Sequence, residues 1–113
     1  MSLVFVAIIF IQSCSKSDLN NNYNPGGTIT DTVTIQAMSF SPSTKTVLLG
    51  TKLIWKNLDT DMHTVTSDDN TSFNSGNISP NAVYSFTFNS YGTFPYHCSL
   101  HPGMTGTIQV VSR

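Results

Sequence analysis

The stretch of sequence that decides the fold is residues 91–106, which read Tyr-Gly-Thr-Phe-Pro-Tyr-His-Cys-Ser-Leu-His-Pro-Gly-Met-Thr-Gly. Its first half alternates aromatic with other residues, which predicts a β-strand that carries Phe94, Tyr96 and Cys98 on one face. That aromatic face is expected to pack into the core, so the Cys98 thiol should point inward. His97 lies on the opposite face and is therefore predicted not to bind a metal.

The same stretch places a thiol, an imidazole and a thioether at Cys98, His101 and Met104, with the spacing C-x2-H-x2-M. A further histidine, His63, lies in an earlier segment, where alternation predicts that it points inward with Val65 while Thr64 and Thr66 face outward. Two His, one Cys and one Met are the ligand set of a blue, type 1 copper centre. We therefore predict one mononuclear copper, with His63, Cys98 and His101 as equatorial ligands and Met104 as a more distant axial ligand.

From Thr28 onward, apolar and polar residues alternate with a period of two, and no apolar residues recur at the spacing of an amphipathic helix. Val33, Ile35 and Ala37, for example, alternate with polar residues. Turns are expected at Gly50-Thr51 and at Pro80-Asn81. About seven short strands in roughly 85 residues predict an all-β fold, an antiparallel Greek-key β-sandwich of about seven to eight strands over residues 28–113.

The N-terminus has the pattern of an export signal. Residues 2–11 are apolar and too few to span a bilayer, which predicts a signal peptide over residues 1–13. Ile11-Gln12-Ser13-Cys14 resembles a bacterial lipobox, so Cys14 is predicted to be lipidated, with residues 14–27 as a flexible tether. We expect a lipoprotein anchored to a membrane of the bacterial cell envelope, facing the periplasm or the exterior. The alternative is a plain signal peptide with an incidental cysteine.

The charge balance argues against nucleic acid as a partner. The chain has 5 basic and 6 acidic residues and a net charge of −1, and no basic aromatic patch is present. The acidic residues Asp59, Asp61, Asp68 and Asp69 are interpreted as a solvated loop face. A Cys14–Cys98 disulfide is rejected, because each cysteine has a separate predicted role.

Several short segments together resemble the cupredoxins, the plastocyanin and azurin family of small blue-copper proteins. They are Phe40-Ser41-Pro42, Gly50-Thr51, Trp55–Asp59, His63-Thr64-Val65, Tyr91–Cys98 and Met104-Thr105-Gly106. The short ligand loop is most similar to that of the amicyanins. The resemblance implies single-electron transfer with a redox protein, such as a cytochrome or a copper oxidoreductase, by a monomer that is not an enzyme.

The resemblance also directs attention to residues around the ligands. Many cupredoxins have Asn directly after the first ligand His, where this chain has Thr64. We expect the Thr64 hydroxyl to bond towards Ser99, or its backbone N–H to do part of that task, and Asn57 to support the site. An apolar docking surface around His101 is expected from Met62, Leu100, Pro102 and Gly103.

The residues fit other functions less well. A nitrite reductase or multicopper oxidase needs additional copper sites, and His97 is the one histidine of the chain that remains beyond the predicted ligands His63 and His101. A binuclear centre needs a second cysteine at the same site. A copper carrier or storage lipoprotein without an electron-transfer role is the main alternative, and a metal-free interaction domain is the other.

Overall fold

The computed structural model describes residues 28–112, so the predicted signal peptide, Cys14 and the tether lie outside the described residues. The strands of this region are β1 Thr30–Gln36, β2 Ser39–Ser41, β3 Thr44–Leu48, β4 Lys52–Asn57, β5 Thr66–Ser67, β6 Val83–Thr87, β7 Gly92–Cys98 and β8 His101–Val111. Within residues 28–112, no helix has the length and apolar character needed to cross a membrane.

The strands form two four-stranded sheets, in the orders β2-β1-β4-β6 and β3-β8-β7-β5. The predicted all-β sandwich is therefore confirmed. Both sheets are mixed, however, because β1 pairs with β4 and β3 pairs with β8 in parallel. Strands joined by a tight hairpin must be antiparallel, whereas neighbours that are distant along the chain are free of that constraint.

Aromatic residues fill the space between the sheets. Trp55 is completely buried, and its ring centroid lies 5.6–6.4 Å from those of Phe73, Tyr84, Phe88 and Tyr96. The Trp55 Nε1–H donates to the Tyr96 hydroxyl at 3.1 Å. Burial raises the pKa of Tyr96 to about 12, against the opposing effect of that hydrogen bond. The indole and phenol rings thus join the two sheets below the ligand-bearing end of β7.

The β1–β2 connection is a two-residue hairpin turn formed by Ala37 and Met38, whose φ angles are 53° and 59°. Two residues with positive φ are what a twisted hairpin with so short a loop requires. Ala37 is consequently exposed, so the alternation seen in the sequence at Val33 and Ile35 does not extend to a buried position at Ala37. The two predicted turns do occur, with φ of 91° at Gly50 and 68° at Asn81.

The β7–β8 hairpin positions the site. It turns at Ser99 and Leu100, and β8 already begins at His101, so only two residues separate the two strands. The register shifts between His97 and Cys98, where Cys98 pairs with His101. This irregularity brings two predicted ligands to the same end of the sandwich.

Candidate metal centre

Three predicted ligands converge at one point of the structure. The donor atoms of His63, Cys98 and His101 all lie within 4.8 Å of one another. Cys98 Sγ is 3.7 Å from His63 Nδ1 and 3.4 Å from His101 Nδ1. His63 and Cys98 are completely buried, and His101 is half-buried. A thiol and two imidazole nitrogens directed at a common point are the equatorial donors of a type 1 copper centre.

His63 is held in place by backbone pairing outside the regular strands. It forms an isolated bridge with Ile78, in which His63 N donates to Ile78 O at 3.2 Å and Ile78 N donates to His63 O at 2.7 Å. Cys98 ends β7 and His101 begins β8. The three side chains therefore come from three separate backbone anchors, which restricts their movement relative to one another.

Met104 is buried in β8 with 5 % exposure. Pro102 and Gly103, which precede it, are both exposed, so the strand alternation shifts by one position. This shift lets Met104 point inward although it follows His101 by an odd number of residues. Axial ligation by Met104 stays a prediction.

Thr64 connects the His63 segment with the Cys98 segment in both of the expected ways. Its backbone N–H donates to Cys98 Sγ at 3.3 Å, and its Oγ1 accepts from Ser99 N at 2.8 Å. The two hydroxyls of Thr64 and Ser99 also lie 3.1 Å apart. Alternation predicted Thr64 and Thr66 on the outer face, which was wrong, because both are buried and their hydroxyls bond each other at 3.0 Å.

Asn57 supports the segment that carries His63. Its Nδ2 donates to the carbonyls of Asp61 and Ile78 at 2.8 and 3.0 Å. Its Oδ1 accepts from Asp59 N at 2.9 Å. The completely buried amide of Asn57 thus holds both flanks of the loop that precedes His63.

Asp59 is a site residue that the sequence interpretation missed. Its Oδ2 lies 2.8 Å from His63 Nε2, and its side chain is only 15 % exposed, so the solvated-face interpretation is wrong for this residue. Burial raises the pKa of Asp59, but hydrogen bonds from Met38 N, His63 and Ala37 N outweigh it and lower the pKa below its ordinary value. An acidic residue four positions before a ligand His is a signal that could have indicated the contact.

The other three residues of that acidic group, Asp61, Asp68 and Asp69, are exposed as predicted. Asp68 Oδ1 lies 2.6 Å from His97 Nδ1, which directs the His97 ring towards the surface loop and agrees with its predicted non-ligand role. The chain has 3 histidines. With two in the cluster and His97 paired on the outside, the described residues contain no second histidine-rich site.

Exposed apolar residues lie next to the ligands along the chain. Met62 is 40 % and Leu100 is 47 % exposed, and Pro102 and Gly103 are exposed as well. Met38 also belongs to this end of the molecule, because its backbone N–H donates to the carboxylate of Asp59 at 3.0 Å. All four residues of the expected docking surface are therefore exposed, and their role in docking stays a prediction.

The fold and the site together define a class of protein, a small β-sandwich with a His-Cys-His cluster at one end. The model of the cupredoxin-like domain family matches residues 2–110. The chain therefore belongs to the cupredoxin-like family. No curated protein matches the sequence.

Solved structures agree with that assignment. A purple cupredoxin from Nitrosopumilus maritimus is 26% identical, with a TM-score of 0.67 over 72% of this chain and 99% of its own. The Cu(I) form of an amicyanin variant is 27% identical, with a TM-score of 0.68 over 73% of this chain and 82% of its own. A copper-containing nitrite reductase from Thermus scotoductus SA-01 is 26% identical, with a TM-score of 0.67 over 73% of this chain but only 22% of its own.

The donor set is suited to copper, the cofactor that the family implies. Thiolate sulfur suits Cu(I), and imidazole nitrogen serves both oxidation states. The N–H of Thr64 directed at Cys98 Sγ gives the sulfur a hydrogen bond of the kind that tunes such centres. His63, Cys98 and His101 are the described residues that would hold one copper ion.

Proposed function

We propose that this protein is a type 1 copper electron carrier that takes single electrons from one redox protein and delivers them to another. The observation that carries the proposal is the convergence of His63 Nδ1, Cys98 Sγ and His101 Nδ1 at a buried end of the sandwich. Bound copper supplies the one-electron change. The side chains contribute a ligand set held by paired backbone, so that little rearrangement accompanies the change in charge.

The surface around His101 supports a brief encounter with a partner. The ring of His101 is half-buried, and the neighbouring Leu100 is 47 % exposed. Weak redox complexes use small interfaces, and an apolar surface without a dominant charge suits them. The proposed partner is a cytochrome or a copper oxidoreductase, and the proposed carrier acts as a monomer.

An enzyme is the less favoured function. The nitrite reductase that this chain is similar to is a much longer protein, of which the match covers 22%. The described residues provide one cluster of metal-binding side chains, whereas a catalytic copper needs a second. A copper carrier or storage role remains the alternative, and reversible redox chemistry distinguishes the two.

The visible absorption spectrum of the copper-loaded, oxidised full chain tests the proposal. We expect an intense thiolate-to-copper band that disappears on reduction by one electron per protein and returns on oxidation. Cys98→Ser should abolish the band, and the matched control Cys14→Ser should keep it. A band that survives in Cys98→Ser contradicts the site, and copper that cannot be cycled reversibly favours the carrier or storage role.

We further propose that the protein is held at a membrane of the bacterial cell envelope by a lipidated Cys14. The support is the apolar run followed by Ile11-Gln12-Ser13-Cys14. Each buried CH₂ contributes about 0.8 kcal/mol, so stable anchoring needs more than one acyl chain. Intact-mass analysis of the mature protein tests this. Cys14→Ala should abolish lipidation and leave the copper spectrum unchanged, and an unmodified Cys14 in the parent protein rules out the anchor.

A further inference from the structure

We propose that Asp59 is a positioning residue of the copper site, whose carboxylate orients the ring of His63 and lowers the reduction potential of the bound copper. The proposal rests on the proposed electron-transfer function. It concerns a residue outside the ligand set, and the structure assigns it through its contacts.

The two nitrogens of the His63 ring face opposite sides. Nδ1 faces Cys98 Sγ at 3.7 Å, and Nε2 faces Asp59 Oδ2 at 2.8 Å. A carboxylate accepts only from a protonated nitrogen, so the contact selects the tautomer with hydrogen on Nε2 and leaves the Nδ1 lone pair for the metal. Asp59 therefore determines both the ring orientation and which nitrogen can bind copper.

The Asp59 carboxylate is itself held firmly. Oδ1 accepts from Ala37 N at 2.8 Å, and Oδ2 accepts from Met38 N at 3.0 Å. These donors belong to the β1–β2 turn, in which both residues have positive φ, a conformation that costs free energy for residues other than glycine. One carboxylate thus stabilises the turn and orients the ligand, so the copper site and the β1–β2 turn depend on the same group.

An amide cannot replace this carboxylate. Both oxygens of Asp59 accept from N–H donors, whereas Asn has one acceptor oxygen and one NH₂ group. Asp59→Asn therefore leaves at least one N–H facing another donor. It also removes a negative charge beside His63, and that charge favours the more highly charged Cu(II) over Cu(I). Loss of such supporting groups typically costs 10–100-fold in metal affinity or activity.

The experiment compares Asp59→Asn and Asp59→Ala with Asp61→Asn, which makes the same charge change at an exposed position two residues away. We expect the affinity for Cu(II), measured by chelator competition, to fall about 10–100-fold in the Asp59 variants. The reduction potential should rise in the same variants and change little in Asp61→Asn. Equal potentials and affinities in Asp59→Asn and Asp61→Asn overturn the proposal.

A second substitution, added to the Asp59→Asn variant, separates the orientation of the His63 ring from the stability of the β1–β2 turn. Met38→Gly accommodates positive φ without strain and should restore stability to Asp59→Asn without restoring the affinity or the potential. Recovery of the metal properties together with stability would make Asp59 a turn anchor only and overturn the proposal.

NMR of the metal-free protein gives a readout that does not depend on copper. The His63 Nε2–H signal should be protected from exchange in the parent protein and lost in Asp59→Ala, and its absence in the parent overturns the proposal. This signal reports the contact between Asp59 and His63 even where the parent protein lacks the intense absorption band. A failure of the proposed electron-transfer function can therefore be told apart from a failure of the proposed role of Asp59.

Discussion

The backbone N–H of Thr64 donates to the Sγ atom of Cys98 at 3.3 Å. The hydroxyl of the same residue accepts from the N–H of Ser99 at 2.8 Å. A single threonine therefore joins the two ligand segments through its backbone and its side chain, at the position where many cupredoxins have asparagine. The hydrogen bond to the Cys98 sulfur comes from the backbone of residue 64. The side chain at this position can therefore vary as long as it still joins the His63 and Cys98 segments.

Thr64→Val should lower the free energy of unfolding of the metal-free protein by about 1–3 kcal/mol, because it keeps the shape but leaves the Ser99 N–H without its acceptor. Copper should also dissociate faster from this variant. Urea denaturation and the rate of copper loss to a chelator measure the two effects. Thr64→Ser keeps the hydroxyl and serves as the control; equal stability of the Val variant and the parent would show that the Thr64–Ser99 bond contributes nothing.

Met104→Leu should leave copper bound, because His63, Cys98 and His101 remain. The reduction potential should rise, since loss of even a weak donor favours the less charged Cu(I). A Met-to-Leu exchange in a core usually costs less than about 1.5 kcal/mol, so the fold should persist. Protein voltammetry measures the potential, and Met62→Leu, at a residue that is 40 % exposed, is the matched control. An unchanged or lower potential in Met104→Leu argues that Met104 only packs.

Gly106→Ala should destabilise the sandwich, because Gly106 pairs with Tyr96 across β7 and β8. A Cβ atom there would lie 2.5 Å from Cζ and 2.6 Å from the hydroxyl oxygen of the Tyr96 ring. That ring is buried and bonded to Trp55, so it cannot move without cost; a loss of about 1–3 kcal/mol is expected. Gly103→Ala in the same strand has open space and is the control. Equal urea midpoints for the two variants would contradict the close packing.

Asp69→Asn should reduce stability at neutral pH and flatten its decline in acid. The hydroxyl and N–H of Ser72, the N–H of Thr71 and the hydroxyl of Ser67 hold the pKa of Asp69 well below its usual range. Because the folded-state pKa is lowered, the contribution is present above the unfolded value of 3.8 and is lost as the pH falls through the folded value. Urea midpoints measured from neutral to strongly acid pH should therefore converge for variant and parent. A difference in urea midpoint that stays constant with pH would contradict the lowered pKa of Asp69. Asp61→Asn again provides the control for the change in charge.

The sequence alone determined the features that depend on local spacing. Alternation at Phe94, Tyr96 and Cys98 specified an inward thiol, because successive side chains of a strand point to opposite faces. The C-x2-H spacing placed His101 next to that thiol, 3.4 Å from its sulfur, because a short turn cannot carry it far away. The same period-two pattern in the other strands was sufficient to predict the sandwich.

Only the tertiary structure decided which distant residues meet. His63 reaches Cys98 across 35 residues through its bridge to Ile78, and no periodicity encodes that pairing. The parallel pairs of β1 with β4 and of β3 with β8, and the contact of Asp59 with both His63 and the Ala37–Met38 turn, are likewise long-range. Thr64 and Thr66 are buried against the alternation because hydroxyl partners are available there. Such contacts depend on how the sheets close around the core, which is a property of the whole chain and of no single segment.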